Sequence, residues 1–283
     1  MSATPTAATP APLSFLERHH FLMRRLHSLS GIVPVGMFVL FHLFTNAQMI
    51  WPDAGAMFQH EVDFIHDMPA LLFIEIGLWV GIGFHAALGL VYTFTGKSNV
   101  KSYSYSGNLR YTLQRVTGIL ALIFIFLHIA TLRWRWDIFG WYTPFYGRMG
   151  LDGSHTGHEV PMTMPLTAYA LQFSWMVVVF YVVGVASVVY HWANGLWTAA
   201  ITWGVTTTPA SQKRWGAVCL MLFIALTTFW GAALYGALNY DFNDMDAQQK
   251  ATFLKVVPEG QNFLMDQGIG APPMDSGLLP EKG

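Results

Sequence analysis

Hydrophobic residues in this chain are gathered into five long runs separated by polar segments. The runs cover residues 26–50, 70–95, 113–132, 166–193 and 215–239. A helix needs about 20 residues to cross the roughly 30 Å hydrocarbon layer of a membrane, and each run reaches that length. Because lipid cannot satisfy exposed backbone groups, helices are the expected form of all five. The pattern therefore predicts an all-α integral membrane protein, built as a bundle of five transmembrane helices.

The composition agrees with this prediction. Hydrophobic residues make up 53% of the chain and charged residues only 11%, with a mean hydropathy of +0.40, whereas about a quarter of a soluble domain is charged. The net charge of −1 gives no reason to expect nucleic acid as a partner. A single cysteine, Cys219, excludes an internal disulfide, a cysteine-ligated iron–sulfur cluster and a covalently attached c-type haem.

Two segments flank the five-helix membrane domain of residues 21–240, and one long loop lies within it. Residues 1–20 are rich in Ala, Pro and Thr and are expected to form a disordered cytoplasmic tail. Residues 133–165 form a long polar loop on the outer side. Residues 241–283 are predicted to be a polar C-terminal tail outside the membrane, with a short helix near residues 246–255.

The distribution of charged residues predicts the orientation in the membrane. The loop between the first two helices carries only acidic charges: Asp53, Glu61, Asp63 and Asp67. Basic residues instead gather before the first helix, around the second loop and before the fifth helix: Arg18, Arg24, Arg25, Lys97, Lys101, Arg110, Arg115, Lys213 and Arg214. Loops rich in Lys and Arg stay on the cytoplasmic side, so the N-terminus is expected in the cytoplasm and the C-terminus outside.

Each of the first four predicted helices has one histidine at membrane depth, namely His42, His85, His128 and His191, while His27 lies at the very start of the first helix. An ionisable residue at membrane depth indicates a functional site; the alternative is a neutral histidine bonded across helices. From the helical rise, His42 and His128 lie nearer the outer side than His85 and His191, by roughly 10 Å. This sorting predicts an outer and an inner bis-histidine site for two stacked b-type haems.

Small residues near these histidines agree with a macrocycle lying against the helices. His85 and His191 both begin an H-x-A-x-G pattern, which places Gly89 and Gly195 one turn away on the same face. The pairs Ser30-Gly31 and Thr117-Gly118 precede His42 and His128 by about ten residues. Small residues also serve ordinary helix packing, so these repeats favour haem only together with the histidines.

Other polar residues have two interpretations each. His27, Ser28 and Arg25 stand at the cytoplasmic start of the first helix, where they could bind the anionic propionates of the inner haem. The alternative for this group is contact with lipid headgroups. Glu75 is the one strong intramembrane candidate for a proton relay, and the alternative is a hydrogen bond within the bundle.

Several short motifs carry a family resemblance. They comprise RRLHSL at residues 24–29, FHL at 41–43, LQRVTG at 113–118, the segment from His191 to Trp197 with its NGLW, TWGV at 202–205, TP at 208–209 and SQ at 211–212. In this order and spacing they resemble the di-haem cytochrome b membrane anchor of bacterial succinate dehydrogenases and related fumarate reductases. The resemblance covers residues 21–239.

The resemblance implies a membrane anchor with two haems b, the inner ligated by His85 and His191 and the outer by His42 and His128. It implies a flavoprotein that oxidises succinate and an iron–sulfur protein on the cytoplasmic face as partners. Electrons would reach a quinone, with menaquinone expected, near the outer haem and residues 42–66. The implied location is the cytoplasmic (inner) membrane, with higher oligomers of the complex left open.

Three alternatives to a succinate dehydrogenase anchor remain, and the first is a fumarate reductase anchor. Some fumarate-reducing members have a glutamate two residues before the histidine of the fourth helix. Val189 occupies that position here, which favours succinate oxidation over fumarate reduction. The other two are an anchor for another quinone-linked di-haem enzyme, such as a hydrogenase or formate dehydrogenase, and a non-redox membrane protein.

Overall fold

The computed structural model describes residues 15–96, 106–134, 136, 148–149, 160–257 and 259–270. Within these ranges, five helical segments are long and apolar enough to cross a membrane: His20–Ile50, Leu71–Thr95, Gly107–Leu132, Trp175–Thr202 and Pro209–Leu238. The predicted all-α membrane bundle is confirmed. The predictions for residues 1–14, for most of the loop 133–165 and for residues 271–283 lie outside the described residues.

The first span is a composite of several helical pieces. After one turn of helix, α1 (Phe15–Arg18), it runs through α2 (His20–Ser30), a π-helical segment (Gly31–Gly36), α3 (Met37–Ala47) and a 3-10 turn (Gln48–Ile50). Pro34 lies in the π-helical segment. Proline has no N–H and crowds the preceding turn, which the wider π-helical turn accommodates.

The other spans are uninterrupted helices: α5 (Leu71–Thr95), α6 (Ser106–Leu132), α8 (Trp175–Thr202) and α9 (Pro209–Leu238). Helices α6 and α9 begin six or seven residues before the predicted starts. At α9, Thr208 Oγ1 accepts a hydrogen bond from the backbone N–H of Ser211 at 3.2 Å, and proline occupies the first turn. Capping chemistry, rather than the first apolar residue, therefore sets where this helix starts.

The predicted fourth span, residues 166–193, is divided in the structure. Residues Thr163–Phe173 form a separate helix, α7, and α8 begins only at Trp175. Between them Ser174 is extended (φ −147°, ψ 125°), and its side chain accepts a hydrogen bond from the backbone N–H of Met176. Apolar residues continue through this break, so hydrophobicity alone gives no sign of it.

Helix α8 lies at the centre of the bundle. It packs against α6 and α9, while α3 packs against α9, and α5 packs against α2 and the π-helical segment. A cluster of buried apolar side chains joins α3, α6, α8 and α9: Leu43, Phe124, Val185, Val189 and Leu226. This packing brings the four histidine-bearing helices together.

Short elements cover one end of the bundle, called here the capped end. They are α4 (Ala56–His66), an antiparallel pair of two-residue strands (β1, Arg148–Met149, and β2, Val160–Pro161, with Arg148 opposite Pro161), α7, a 3-10 turn (Phe242–Asp244), α10 (Ala247–Val256) and α11 (Gly260–Asp266). Their shared apolar core includes Phe58, Met162, Leu166, Phe242, Phe253 and Leu264. The opposite end, where α2 and α9 begin, is called the open end.

The cap differs from the predicted polar C-terminal tail. Helix α10 lies where a short helix is predicted, but α11 is an additional element. Both pack into the core of the cap, where Phe253 and Leu264 have no exposed surface. The large apolar side chains that form this core are spaced irregularly among polar residues. The segment is therefore polar on average, and its sequence pattern gives no sign that it folds.

Candidate functional site: two histidine pairs

The four intramembrane histidines form two pairs in the structure. The ring centres of His42 on α3 and His128 on α6 are 6.0 Å apart, with the rings inclined at 76°. Those of His85 on α5 and His191 on α8 are also 6.0 Å apart, at 88°. Metal–imidazole bonds are about 2 Å long, so two histidine rings about 6 Å apart could both bind one metal placed between them. Each pair thus has a spacing at which its two histidines would hold one metal.

In the inner pair, each ring is held by a backbone carbonyl. His85 Nδ1 lies 2.8 Å from the carbonyl oxygen of His27, and His191 Nδ1 lies 2.9 Å from that of Gln114. With Nδ1–H donating in each case, Nε2 carries the lone pair that a metal requires. Such a bond on the far nitrogen is the usual support of a metal-binding histidine, because it fixes the tautomer and the ring orientation.

Two glycines create the space in which these rings lie. A Cβ atom on Gly118 would be 2.8 Å from the His191 ring, and one on Gly31 would collide with the His85 ring. By contrast, Gly89 and Gly195 of the H-x-A-x-G pattern face His27 and Gln114. The glycines that precede the outer histidines in sequence therefore make room for the inner ones.

The outer pair is surrounded by aromatic side chains. His128 Nδ1 lies 3.0 Å from the hydroxyl of Tyr181 on α8. Phe38 stacks on His42 with ring centres 5.1 Å apart, and Phe124 stacks on His128 at 5.5 Å. The helical rise between Gly118, beside the inner pair, and His128 puts the two pairs about 15 Å apart along α6. This exceeds the expected 10 Å because α6 begins at Ser106 rather than near residue 113, which places His128 further from the start of its helix.

The three candidates for propionate binding lie together near the inner pair. His27 stacks on His85 with ring centres 4.0 Å apart. Ser28 accepts a hydrogen bond from Trp203 Nε1 at 2.9 Å, and the Arg25 guanidinium lies 5.3 Å from the centre of the Trp203 ring system. Their binding role stays a prediction.

Unpaired buried polar atoms occur in the same part of the bundle. Among the described residues, four such atoms near the inner pair have no hydrogen-bond partner: Arg25 Nε, His27 Nδ1, Tyr92 Oη and Trp192 Nε1. Buried polar groups normally find a partner. An anionic or polar group entering here, such as the edge of a haem, would satisfy donors that the chain leaves open, so these residues fit the predicted cofactor.

A chain of polar contacts near the inner pair is absent from the sequence-based prediction. Arg110 Nε donates to Asn194 Oδ1 at 2.9 Å, Asn194 Nδ2 donates to Gln114 Oε1 at 2.7 Å, and Gln114 Nε2 donates to the carbonyl oxygen of His191 at 3.0 Å. The sequence does contain a signal for these contacts, because Gln114 and Asn194 carry amide side chains at membrane depth. Polar side chains there usually have a structural or functional role.

Two further features bear on the alternatives. Within the described ranges, no group of three or more His, Cys, Asp or Glu side chains is placed to hold a bare metal ion. Glu75 forms an ion pair with Arg133 at 3.5 Å, close to the end of α6. This pairing agrees with a structural role for Glu75 rather than a place in a proton relay.

Comparison with known proteins gives one informative result. No family model matches the chain, and no solved structure matches it. The succinate dehydrogenase cytochrome b558 subunit of Bacillus subtilis (strain 168) is 37% identical over 208 residues, which cover 73% of this chain and 92% of that protein. The resemblance found in the motifs is confirmed, and the chain belongs to the family of succinate dehydrogenase cytochrome b subunits.

Proposed function

We propose that this cytochrome b subunit anchors a succinate dehydrogenase in the cytoplasmic membrane and carries electrons from its iron–sulfur subunit to a quinone. The observation that carries the proposal is the two histidine pairs, each at 6.0 Å and about 15 Å apart along α6. His85 and His191 would hold an inner haem b, and His42 and His128 an outer one. Each haem, when bound, supplies a one-electron iron couple.

The chain's own residues have distinct tasks in this proposal. The carbonyls of His27 and Gln114 keep the inner imidazoles in the metal-binding tautomer, while Tyr181 does the same for His128. Arg25, His27 and Ser28 would bind the inner propionates, a contact that opposite charge stabilises. The apolar side chains between the pairs exclude water.

Partners and orientation follow from the charges at the two ends. The open end carries most of the basic residues, so it would face the cytoplasm and the iron–sulfur subunit, with the flavoprotein bound beyond it. The quinone, with menaquinone expected, would bind near the outer pair among residues 42–66. These residues include α4, which packs against α3 and α7.

The direction of catalysis is proposed as succinate oxidation. Val189 is 1% exposed and packs in the apolar cluster with Leu43 and Phe124. A carboxylate would be poorly solvated at this position. The glutamate that belongs to the proton path of fumarate-reducing members therefore has no equivalent here. An anchor working in the fumarate-reducing direction remains the second candidate.

Haem content and histidine variants test this proposal. We expect pyridine haemochrome analysis of the purified complex to give two haems b per chain. His85→Ala or His191→Ala should remove one component of the redox titration, and His42→Ala or His128→Ala the other. His60→Ala, an exposed histidine in α4, is the matched control and should retain both.

Other results would contradict specific parts of the proposal. A single haem in the wild-type complex would mean that one pair is not a ligand pair. Loss of the same component in His85→Ala and His128→Ala would overturn the pairing. An assembled complex with no haem would return the chain to a non-redox role.

A further inference from the structure

Helices α6 and α9 both pack on α8 but have little contact with each other. A cleft of about 410 Å³ lies between them at the open end, lined by Arg110, Trp197, Pro209, Gln212, Lys213 and Gly216. Because α6 and α9 are membrane spans, a cleft between their ends lies at the level expected for the headgroup layer of the bilayer.

Arg110 is held in this cleft by contacts from α8. Its Nε donates to Asn194 Oδ1, and its guanidinium carbon lies 4.0 Å from the centre of the Trp197 ring system. Asn194 stands eight residues before the end of α8 at Thr202, which is about 12 Å inside the helix. The positive charge of Arg110 is thus fixed below the end of the bundle rather than free in solution.

The surrounding sequence offers no counter-charge. Residues 96–116 and 190–220 contain no Asp or Glu, although they carry six basic residues: Lys97, Lys101, Arg110, Arg115, Lys213 and Arg214. Arg115 is satisfied differently, because its Nη2 donates to the carbonyl oxygen of Tyr92 near the C-terminus of α5 at 2.9 Å, where a cation is favourable. Among the described residues, neither Arg110 nor Lys213, the two cations that line the cleft, has an ion-pair partner, so an anion from another molecule would complete the site.

We propose that this cleft binds the phosphate of an anionic phospholipid, with Arg110 and Lys213 as its charge partners. Basic pockets between membrane helices on the cytoplasmic side are suited to acidic headgroups. Trp197, whose Nε1 donates to the carbonyl oxygen of Gln212 at 3.1 Å, adds the amphipathic ring typical of the membrane interface. The bond of Arg110 to Asn194, about 12 Å inside α8, favours a lipid between the helices over the iron–sulfur subunit, which would contact the end face.

The experiment measures lipid retention by the intact complex. The complex is washed with detergent, incorporated into phosphatidylcholine nanodiscs containing a minor fraction of phosphatidylglycerol, re-extracted, and its bound lipid is quantified by mass spectrometry. We expect phosphatidylglycerol to be enriched on the wild type. Arg110→Gln and Lys213→Gln should each lower that enrichment about fivefold, the change expected for one cation near an acidic headgroup.

Arg214→Gln is the matched control, since it removes the same charge from the adjacent residue, which does not line the cleft. It should retain the wild-type enrichment. Lys213 is exposed, so its variant tests the site even if Arg110→Gln, which also loses the bond to Asn194, fails to fold.

Three results would overturn the proposal. One is equal enrichment in Lys213→Gln and Arg214→Gln. Another is displacement of the lipid from the wild type by excess inorganic phosphate, which would identify a site for free phosphate. The third is unchanged lipid together with loss of the iron–sulfur subunit in the Arg110 and Lys213 variants, which would mean that carboxylates of that subunit are the partners.

Discussion

The two histidine pairs have the same spacing but different supports. At the inner pair, both rings are held by backbone carbonyls, which no side-chain substitution removes. At the outer pair, the support recorded for His128 is the phenol of Tyr181, and aromatic rings flank both histidines. The inner site is therefore fixed by how the helices pack, whereas the outer site depends on individual side chains. Ligand residues alone would not distinguish the two.

The largest expected effect comes from filling the space beside an inner ring. In Gly118→Ala, the new Cβ would lie 2.8 Å from the His191 ring, which the carbonyl of Gln114 prevents from moving aside. We expect the inner haem to be lost and the outer one retained, measured as haem per chain and as one remaining component in a redox titration. Gly83→Ala on α5, where no atom lies within 4 Å of the new Cβ, is the control.

The corresponding substitution at the outer pair is Gly184→Ala. Its Cβ would collide with Phe124, which in turn stacks on His128. Because an aromatic side chain can shift where a carbonyl-bound ring cannot, we expect a weakened outer site rather than a lost one. Equal haem loss in the Gly118 and Gly184 variants would contradict the proposed difference in rigidity.

The sequence predicts the five spans and the ligand candidates because both leave strong local signals. A run of apolar residues identifies a span, and a histidine within it stands out. The supports leave no such signal: the acceptors at the inner pair are main-chain atoms, which any residue could supply. Tyr181 is one aromatic residue among many, and the break at Ser174 lies within an apolar run.

The cap shows the same limit for larger elements. Its core is assembled from segments far apart in the chain, such as α4, α7 and α10. No single segment is apolar enough to be identified as part of a core. Long-range packing therefore determines this part of the fold, and composition alone reads residues 241–283 as a polar tail.

We expect alkaline pH to affect the outer histidine pair before the inner one, because the cap packs only on the end of the bundle that lies nearer the outer pair. Burial, and then the charge of Glu259, raise the pKa of Tyr169 to about 12, compared with about 10 in an unfolded chain. Because the pKa is raised on folding, the contribution of the neutral Tyr169 side chain to folding stability is complete below about pH 10. It is lost as the pH rises through about 12. At about 1.4 kcal/mol per pKa unit, the loss in folding free energy is on the order of 3 kcal/mol. Burial and nearby aspartates also raise the pKa of Tyr240.

We therefore expect the cap to loosen between about pH 10 and 12, followed by limited proteolysis after α9, with the outer haem band changing before the inner one. Tyr169→Phe removes one ionising group and should move this transition to higher pH. If both haem bands changed together, or if Tyr169→Phe behaved as the wild type, the cap would not be a separate support of the outer site.

The smallest expected effect, and the most specific to the outer pair, is that of Tyr181→Phe. When His128 binds iron through Nε2, its Nδ1–H donates to the phenol oxygen, and this bond makes the imidazole a better electron donor. Electron donation stabilises ferric iron, so its loss should raise the midpoint potential of the outer haem. A hydrogen bond of about 1 kcal/mol limits the shift to on the order of 20–40 mV.

The redox titration should show this shift in one component only, with the inner haem unchanged, because backbone carbonyls support the inner ligands. Tyr235→Phe, an exposed tyrosine on α9, controls for the loss of a hydroxyl elsewhere and should leave both potentials as in the wild type. A shift of the inner component would mean that Tyr181 acts through the packing of α8 rather than through His128. No shift in either component would mean that the outer ligand, like the inner ones, does not depend on a side-chain acceptor.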